Sequence, residues 1–84
     1  MAAVPQIELI SRRRCHLCDE AQKLLESIRR DQPFQYQVLD VDSDPGLHLY
    51  YTHRVPVLRI NGREVAELTF VEDAVREHLR RVSQ

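Results

Sequence analysis

The chain has no surplus of either charge: 12 Lys+Arg set against 13 Asp+Glu leave a formal net charge of −1. An electrostatic nucleic-acid binder needs a strongly basic face, so this balance argues against that class. Long apolar runs are missing as well. The longest, Met1–Val4, holds four residues, against the roughly 20 that a membrane span requires. The start, Met1-Ala2-Ala3-Val4-Pro5-Gln6-Ile7-Glu8, carries neither a basic segment nor an apolar stretch, and no secretory leader is expected. Repeats, low-complexity tracts and linkers are absent too. What is present is an ordinary globular balance, 43% apolar and 30% charged residues, which predicts one soluble domain spanning 1–84 in the cytoplasm.

Cysteine is equally scarce, and its scarcity is informative. The two cysteines read Cys15-His16-Leu17-Cys18. A zinc ribbon needs a second such pair, and a c-type haem site needs His directly after the second cysteine, where this chain has Asp19. A structural staple is a poor reading, because closing so short a loop removes only about 2 kcal/mol of unfolded-chain entropy. A reducing cytosol also opposes such a bond. A reactive pair remains.

The chain around that pair has a legible order. Gln6 to Ile10 reads as a strand. From Cys15 to Arg30, Leu17, Ala21, Leu24, Leu25 and Ile28 trace one face of an amphipathic helix. Asp19, Lys23, Glu26 and Arg30 fall on the opposite face as two i,i+4 pairs, and Asp31-Gln32-Pro33 ends the helix. Phe34, Tyr36 and Val38 alternate with glutamines as a second strand. Asp44 and Pro45 supply an N-cap and first position for a short helix ending near Thr52, with Tyr50 and Tyr51 expected to pack it on the sheet. Val57 to Ile60, an Asn61-Gly62 turn and Arg63 to Leu68 form a hairpin. Thr69 and Glu72 match a capping box for a last helix whose apolar face is Val71, Ala74, Val75, Leu79 and Val82, with Phe70 packing at its entry. The order β-α-β-α-β-β-α makes the first two strands parallel and the last two antiparallel. The fold class is α/β, a four-stranded mixed sheet flanked by three helices.

This pattern sets Cys15 before or at the first turn of the first helix. Helix N-termini carry unpaired N–H groups and partial positive charge, and thiol pKa values near 8.5 fall to roughly 3.5–7.5 at such sites. Arg12, Arg13 and Arg14 push the same way. Cys18, one turn deeper on the same face, is expected to be the more buried thiol. That arrangement suits exchange in which Cys15 attacks a disulfide and Cys18 resolves the mixed disulfide.

With the motif placed after a strand and opening a helix, and with Val55-Pro56 before the third strand, the chain resembles glutaredoxin-like members of the thioredoxin-fold superfamily over nearly its whole length. The resemblance implies thiol–disulfide oxidoreductase activity with Cys15 as nucleophile and Cys18 as resolving thiol. It also implies a cis Val55–Pro56 bond, with Val55 backbone groups pairing to the substrate chain by strand addition. Without the resemblance a trans bond is the default, since only about 5% of X-Pro bonds are cis. Candidate substrate-binding residues are Arg14, His16, Arg54, Val55 and Pro56. Glutaredoxins hold a glutathione carboxylate on a Gly-Gly and Asp segment. Here that segment falls on Ala66, Glu67, Leu68 and Thr69, which argues against glutathione as the specific substrate.

No resident cofactor or metal is expected, with glutathione kept as a candidate co-substrate. The expected partners are a protein or small-molecule disulfide and a thiol reductant or reductase, with no nucleic acid or membrane, acting on a monomer. Two other readings stay open: iron–sulfur or metal ligation by the cysteine pair, with thiolates from two subunits, and a non-catalytic adaptor that binds peptides at the Val55-Pro56 edge. His48, His53 and His78 read as surface or structural residues.

Overall fold

A computed structural model describes residues 4–83. Met1–Ala3, part of the start read above for a leader, lie outside the described residues, as does Gln84. The elements run β1 (Gln6–Ser11), α1 (His16–Arg29), β2 (Gln35–Asp40), a 3-10 turn (Val41–Ser43), α2 (Pro45–Tyr51), β3 (Val57–Ile60), β4 (Arg63–Glu67) and α3 (Glu72–Val82). The sheet order is β2-β1-β3-β4, with β1 parallel to β2 and antiparallel to β3, and β3 antiparallel to β4. This is the α/β thioredoxin-like architecture that the sequence predicts.

Alternation along the central strands builds two cores. Ile7 and Leu9 of β1 and Leu58 and Ile60 of β3 face Ala21, Leu25 and Ile28 of α1 and Val75 and Leu79 of α3. On the other face Ile10 and Val57 meet Val41, Tyr51, Val55 and Cys18. The 0–2% exposure of Ile7, Leu9, Ile10, Leu58 and Ile60 makes β1 and β3 the rigid centre. Glu8 and Arg59 stand opposite each other on the second face and pair at 3.0 Å, a cross-strand contact that offsets two part-buried charges.

The punctuation follows local chemistry. Asp44 caps α2 by accepting from the Gly46 and Leu47 N–H groups at 2.7 and 3.1 Å, and Pro45 occupies a position that needs no N–H donor. Asn61 and Gly62 take φ of 51° and 83°, as a tight hairpin turn demands. The Asn61 side chain also accepts from the Gln6 N–H at 2.9 Å, tying the turn to β1. The corner between α1 and β2 is aromatic. Phe34 and Tyr36 meet edge to face at 5.9 Å, and Arg29 lies over both rings. Burial pushes the Tyr36 hydroxyl up to about 12.

Several expectations need correction. The capping box does not form. α3 starts at Glu72 behind Val71, which offers no side-chain cap, so Thr69 lies too early, and Glu72 instead binds Arg76 at 2.9 Å. β4 ends at Glu67 because Leu68 turns to φ 67°. The apolar face of α3 narrows to Val75 and Leu79, with Val71 and Val82 exposed. Tyr51 is buried, while Tyr50 is 70% exposed, since a helix of seven residues turns only one of two adjacent side chains to the sheet. On α1 the bridge that forms is His16–Glu20 at 3.0 Å, and neither Asp19–Lys23 nor Glu26–Arg30 closes.

Candidate active site

The site stands where β1 ends. Ser11 leaves the sheet, and Arg12–Arg14 make a turn in which Arg14 takes φ 56°. Cys15, at φ −116° and ψ 112°, is the N-cap of α1. Its sulfur accepts from the Cys18 N–H at 3.2 Å, filling the place usually taken by a hydroxyl or carboxylate oxygen. Cys15 and Cys18 form a disulfide with a Cα–Cα distance of 5.1 Å, inside the usual range. Exposure separates the two sulfurs. Cys15 is half-buried, and Cys18 is 1% exposed within the core beneath it. The Cys15 sulfur thus meets a backbone N–H and the start of a helix, surroundings of the kind that favour a thiolate.

The three arginines before Cys15 divide. Arg12 turns away, donating to both Asp42 carboxylate oxygens at 3.0 and 3.2 Å and to the Thr52 carbonyl at 3.0 Å. The hydrogen bond with Asp42 raises the Arg12 pKa and holds the Asp42 carboxyl below its ordinary range. His48 Nδ1 approaches the same carboxylate at 3.1 Å. Arg12 therefore braces β1 against α2 and is no longer a free charge for the thiol. Arg13 and Arg14 are exposed, and neither has an acidic partner among the described residues. His16 is exposed on the outer side of α1, paired with Glu20.

Val55 is buried in the same cluster as the cysteines, Pro56 after it is fully buried, and their peptide bond is cis. Among the described residues, neither the N–H nor the C=O of Val55 has a hydrogen-bond partner, whereas the Pro56 carbonyl accepts from the Leu68 N–H at 2.8 Å. Arg54, directly before them, donates to Glu64 and to Glu67. Those bonds raise its pKa, and the Glu64 carboxyl falls below its ordinary range chiefly through Arg54. Tyr51 lies under Arg54, 5.2 Å from guanidinium to ring, and its hydroxyl donates to Glu64 at 3.1 Å. The structure thus brings Cys15, Cys18, Val55 and Pro56 together, and leaves Arg14 and His16 on the open side and Arg54 clasped by acids.

Sequence reasoning passed over Glu64 and placed Leu68 only at the end of a strand and in the segment aligned with a glutathione site. Glu64 reads as one more polar residue of a hairpin, and only the pairing of β3 with β4 brings it to Arg54. Leu68 reads as the last residue of a strand, and nothing in its neighbours signals a left-handed backbone. Among the described residues, no three His, Cys, Asp or Glu side chains gather as a metal site.

A β1-turn-α1 unit ending in a half-exposed cysteine paired with a buried one defines a thioredoxin-fold protein with an active-site-like cysteine pair. The chain belongs to the glutaredoxin-like domain family (DUF836), which it matches over residues 6–80. A Mycobacterium tuberculosis protein is 32% identical over 65 residues, 71% of this chain and 67% of that relative. The crystal structure of an X. campestris protein has 34% identity and a TM-score of 0.76, covering 89% of this chain and 96% of that one. Two further structures share the fold. A Nitrosomonas europaea protein has a TM-score of 0.81 at 24% identity, over 93% of this chain and 94% of that one. A thioredoxin of Halobacterium salinarum has a TM-score of 0.70 at 21% identity, over 95% of this chain and 75% of that one.

Proposed function

We propose that the protein is a thiol–disulfide oxidoreductase working through both cysteines. The observation that carries this reading is the asymmetry of the pair: Cys15 is partly open at the start of α1, and Cys18 is buried behind it. The Cys15 thiolate attacks one sulfur of a substrate disulfide, forming a mixed disulfide and releasing the first thiolate, which takes a proton from solvent. The Cys18 thiolate then attacks the Cys15 sulfur, releasing the second substrate thiol and leaving the Cys15–Cys18 disulfide. Two electrons and two protons pass to the substrate.

The other candidates take supporting roles. The unpaired backbone of Val55, held beside the cysteines with Pro56, supports strand-like pairing with a substrate chain. Arg14, exposed next to Cys15, supplies local positive charge, and His16 borders the approach. Arg54 acts through its bonds to Glu64 and Glu67, which steady the Val55–Pro56 segment. The reaction needs no resident cofactor. A thiol reductant or reductase resets the pair, in the reducing conditions of a cytoplasm. Among the described residues no helix is long and apolar enough to cross a membrane.

The test is single-turnover reduction of a chromogenic aromatic disulfide by the pre-reduced full chain. Cys15→Ser abolishes thiol release, while Cys18→Ser releases one thiol and remains as a covalent adduct visible by mass spectrometry. Full activity in both variants overturns the reading.

A further inference from the structure

The two edges of the sheet are built differently. β4, at one edge, carries Arg63, Glu64 and Glu67, and its pairing with β3 is interrupted between Leu58 and Arg59. Charges and bulges of this kind keep an edge strand from joining a strand of another chain. β2, at the other edge, has neither guard. It runs in unbroken register with β1 from Gln35 to Asp40, and Gln35-Tyr36-Gln37-Val38-Leu39 holds no charge and no proline. Val38, in the middle of this stretch, is 43% exposed.

Backbone direction and charge select the occupant. The Gln35 N–H donates to the Pro5 carbonyl at 2.8 Å, so by alternation the backbone groups of Gln35, Gln37 and Leu39 point at β1. Those of Tyr36, Val38 and Asp40 point outward, where the sheet has no further strand. Tyr36 and Val38 are in register with Ile7 and Leu9, which sets their side chains on the α1 face. Charge is unevenly spread along this edge. At its start Arg29 lies over the Phe34 and Tyr36 rings and has no acidic partner among the described residues, while the nearby Asp31 is held by Arg76. At its far end stands Asp40, which is in no ion pair among the described residues. Two such edges meeting antiparallel bring the acidic end of each to the cationic end of the other. Glu26, also close to Tyr36, opposes this match in part.

We propose that β2 is a self-association edge, on which a second copy of this chain docks antiparallel to continue the sheet across a two-fold axis. Outward-facing residues meet outward-facing residues. The register that engages all three sets Val38 opposite the Val38 of the second copy, and Tyr36 opposite its Asp40. The Asp40 carbonyl accepts from the Ser43 hydroxyl at 2.7 Å and keeps a second lone pair for this contact. One six-residue edge is a modest contact, of the size of a weak or transient interface, so association follows chain concentration. Such pairing needs no apolar patch, and the sequence by itself therefore suggests a monomer. Val55 and Pro56 precede β3, on the other side of β1, and stay open to substrate in the dimer.

The experiment is sedimentation equilibrium of the full chain from micromolar to millimolar concentration, with a reductant present to prevent intermolecular disulfides. Backbone amide exchange is measured at both extremes. The wild-type chain passes from monomer to dimer, and the Val38 amide gains protection as it does so. Val38→Lys raises the dimer dissociation constant at least about tenfold, because it sets two like charges directly opposite each other, while Val38→Thr keeps the dimer. Val38 is exposed, so both variants retain the fold, and an unchanged melting profile of the dilute chain checks this. Asp40→Asn keeps a side-chain oxygen for the Asp42 N–H and weakens association about two- to fivefold, as does added salt. A wild-type chain that stays monomeric at millimolar concentration overturns the proposal. So does a dimer that Val38→Lys leaves intact, or one in which the Val38 amide exchanges as it does in the monomer. A dimer equally tight with Asp40→Asn overturns the charge match and the register built on it.

Discussion

Tyr51 joins the packing of the molecule to the support of its site, and removing it separates the two contributions. Its ring is buried in the core that contains Cys18 and Val55, Arg54 and Arg59 lie over it, and its carbonyl accepts from the Arg54 N–H at 2.8 Å. Truncation to Ala exposes or empties roughly 150 Å² of aromatic surface. At about 25 cal/mol per Å² this is worth about 4 kcal/mol, inside the about 3–5 kcal/mol found for large aromatic truncations. A chain of 84 residues has a total stability of about 4–13 kcal/mol at the usual per-residue values, so Tyr51→Ala brings the protein near its folding threshold. Tyr51→Phe keeps the ring and loses the hydroxyl bond to Glu64, a loss of about 1 kcal/mol. Urea unfolding followed by far-UV circular dichroism measures both. Equal costs for the two variants, or less than about 1 kcal/mol for Tyr51→Ala, refute the claim that ring packing anchors α2 and the Val55–Pro56 segment.

The uncapped start of α3 gives a second test. Val71 is 64% exposed, with extended backbone and no side-chain cap, so Val71→Asp stabilises the protein by about 1 kcal/mol, whereas Thr69→Ala leaves the urea midpoint unchanged. Acid supplies a third. The Asp42 and Glu64 carboxyls are held below their ordinary ranges, chiefly by hydrogen bonds from Arg12 and Arg54 respectively. Their stabilisation is therefore complete above the unfolded carboxyl values near 4 and is lost as pH falls through the lower folded values. Thermal melts at a series of pH values show a fall in stability below about pH 4 that Asp42→Asn makes shallower, and added salt weakens the effect because these groups are exposed.

The architecture is largely legible in the sequence because its signals are local and agree with one another. Ile7, Leu9 and Ile10 are bounded by turn residues, α1 has an apolar stripe, and Asp44-Pro45 and Asn61-Gly62 each permit few backbone conformations. The cysteine motif is legible for the same reason: a strand, a short turn and a helix fix Cys15 at the N-cap before any tertiary contact is known. Features that depend on distant residues are not legible. Arg12 belongs in sequence to a cationic run beside Cys15, yet Asp42, thirty positions on, draws it away. Arg54 looks like a free cation until the hairpin sets Glu64 and Glu67 against it. Thr69 and Glu72 satisfy the spacing of a capping box, but the backbone turns at Leu68 and the helix begins later than local pattern implies.

The central claim is that Cys15 is an activated nucleophile at a helix start. Its most direct test is the pH dependence of iodoacetamide alkylation in the full chain carrying Cys18→Ser, so that Cys15 is the one thiol present. The account predicts half-maximal rate well below the free-thiol value of about 8.5, with reaction already fast at neutral pH. A midpoint at or above 8.5 contradicts it.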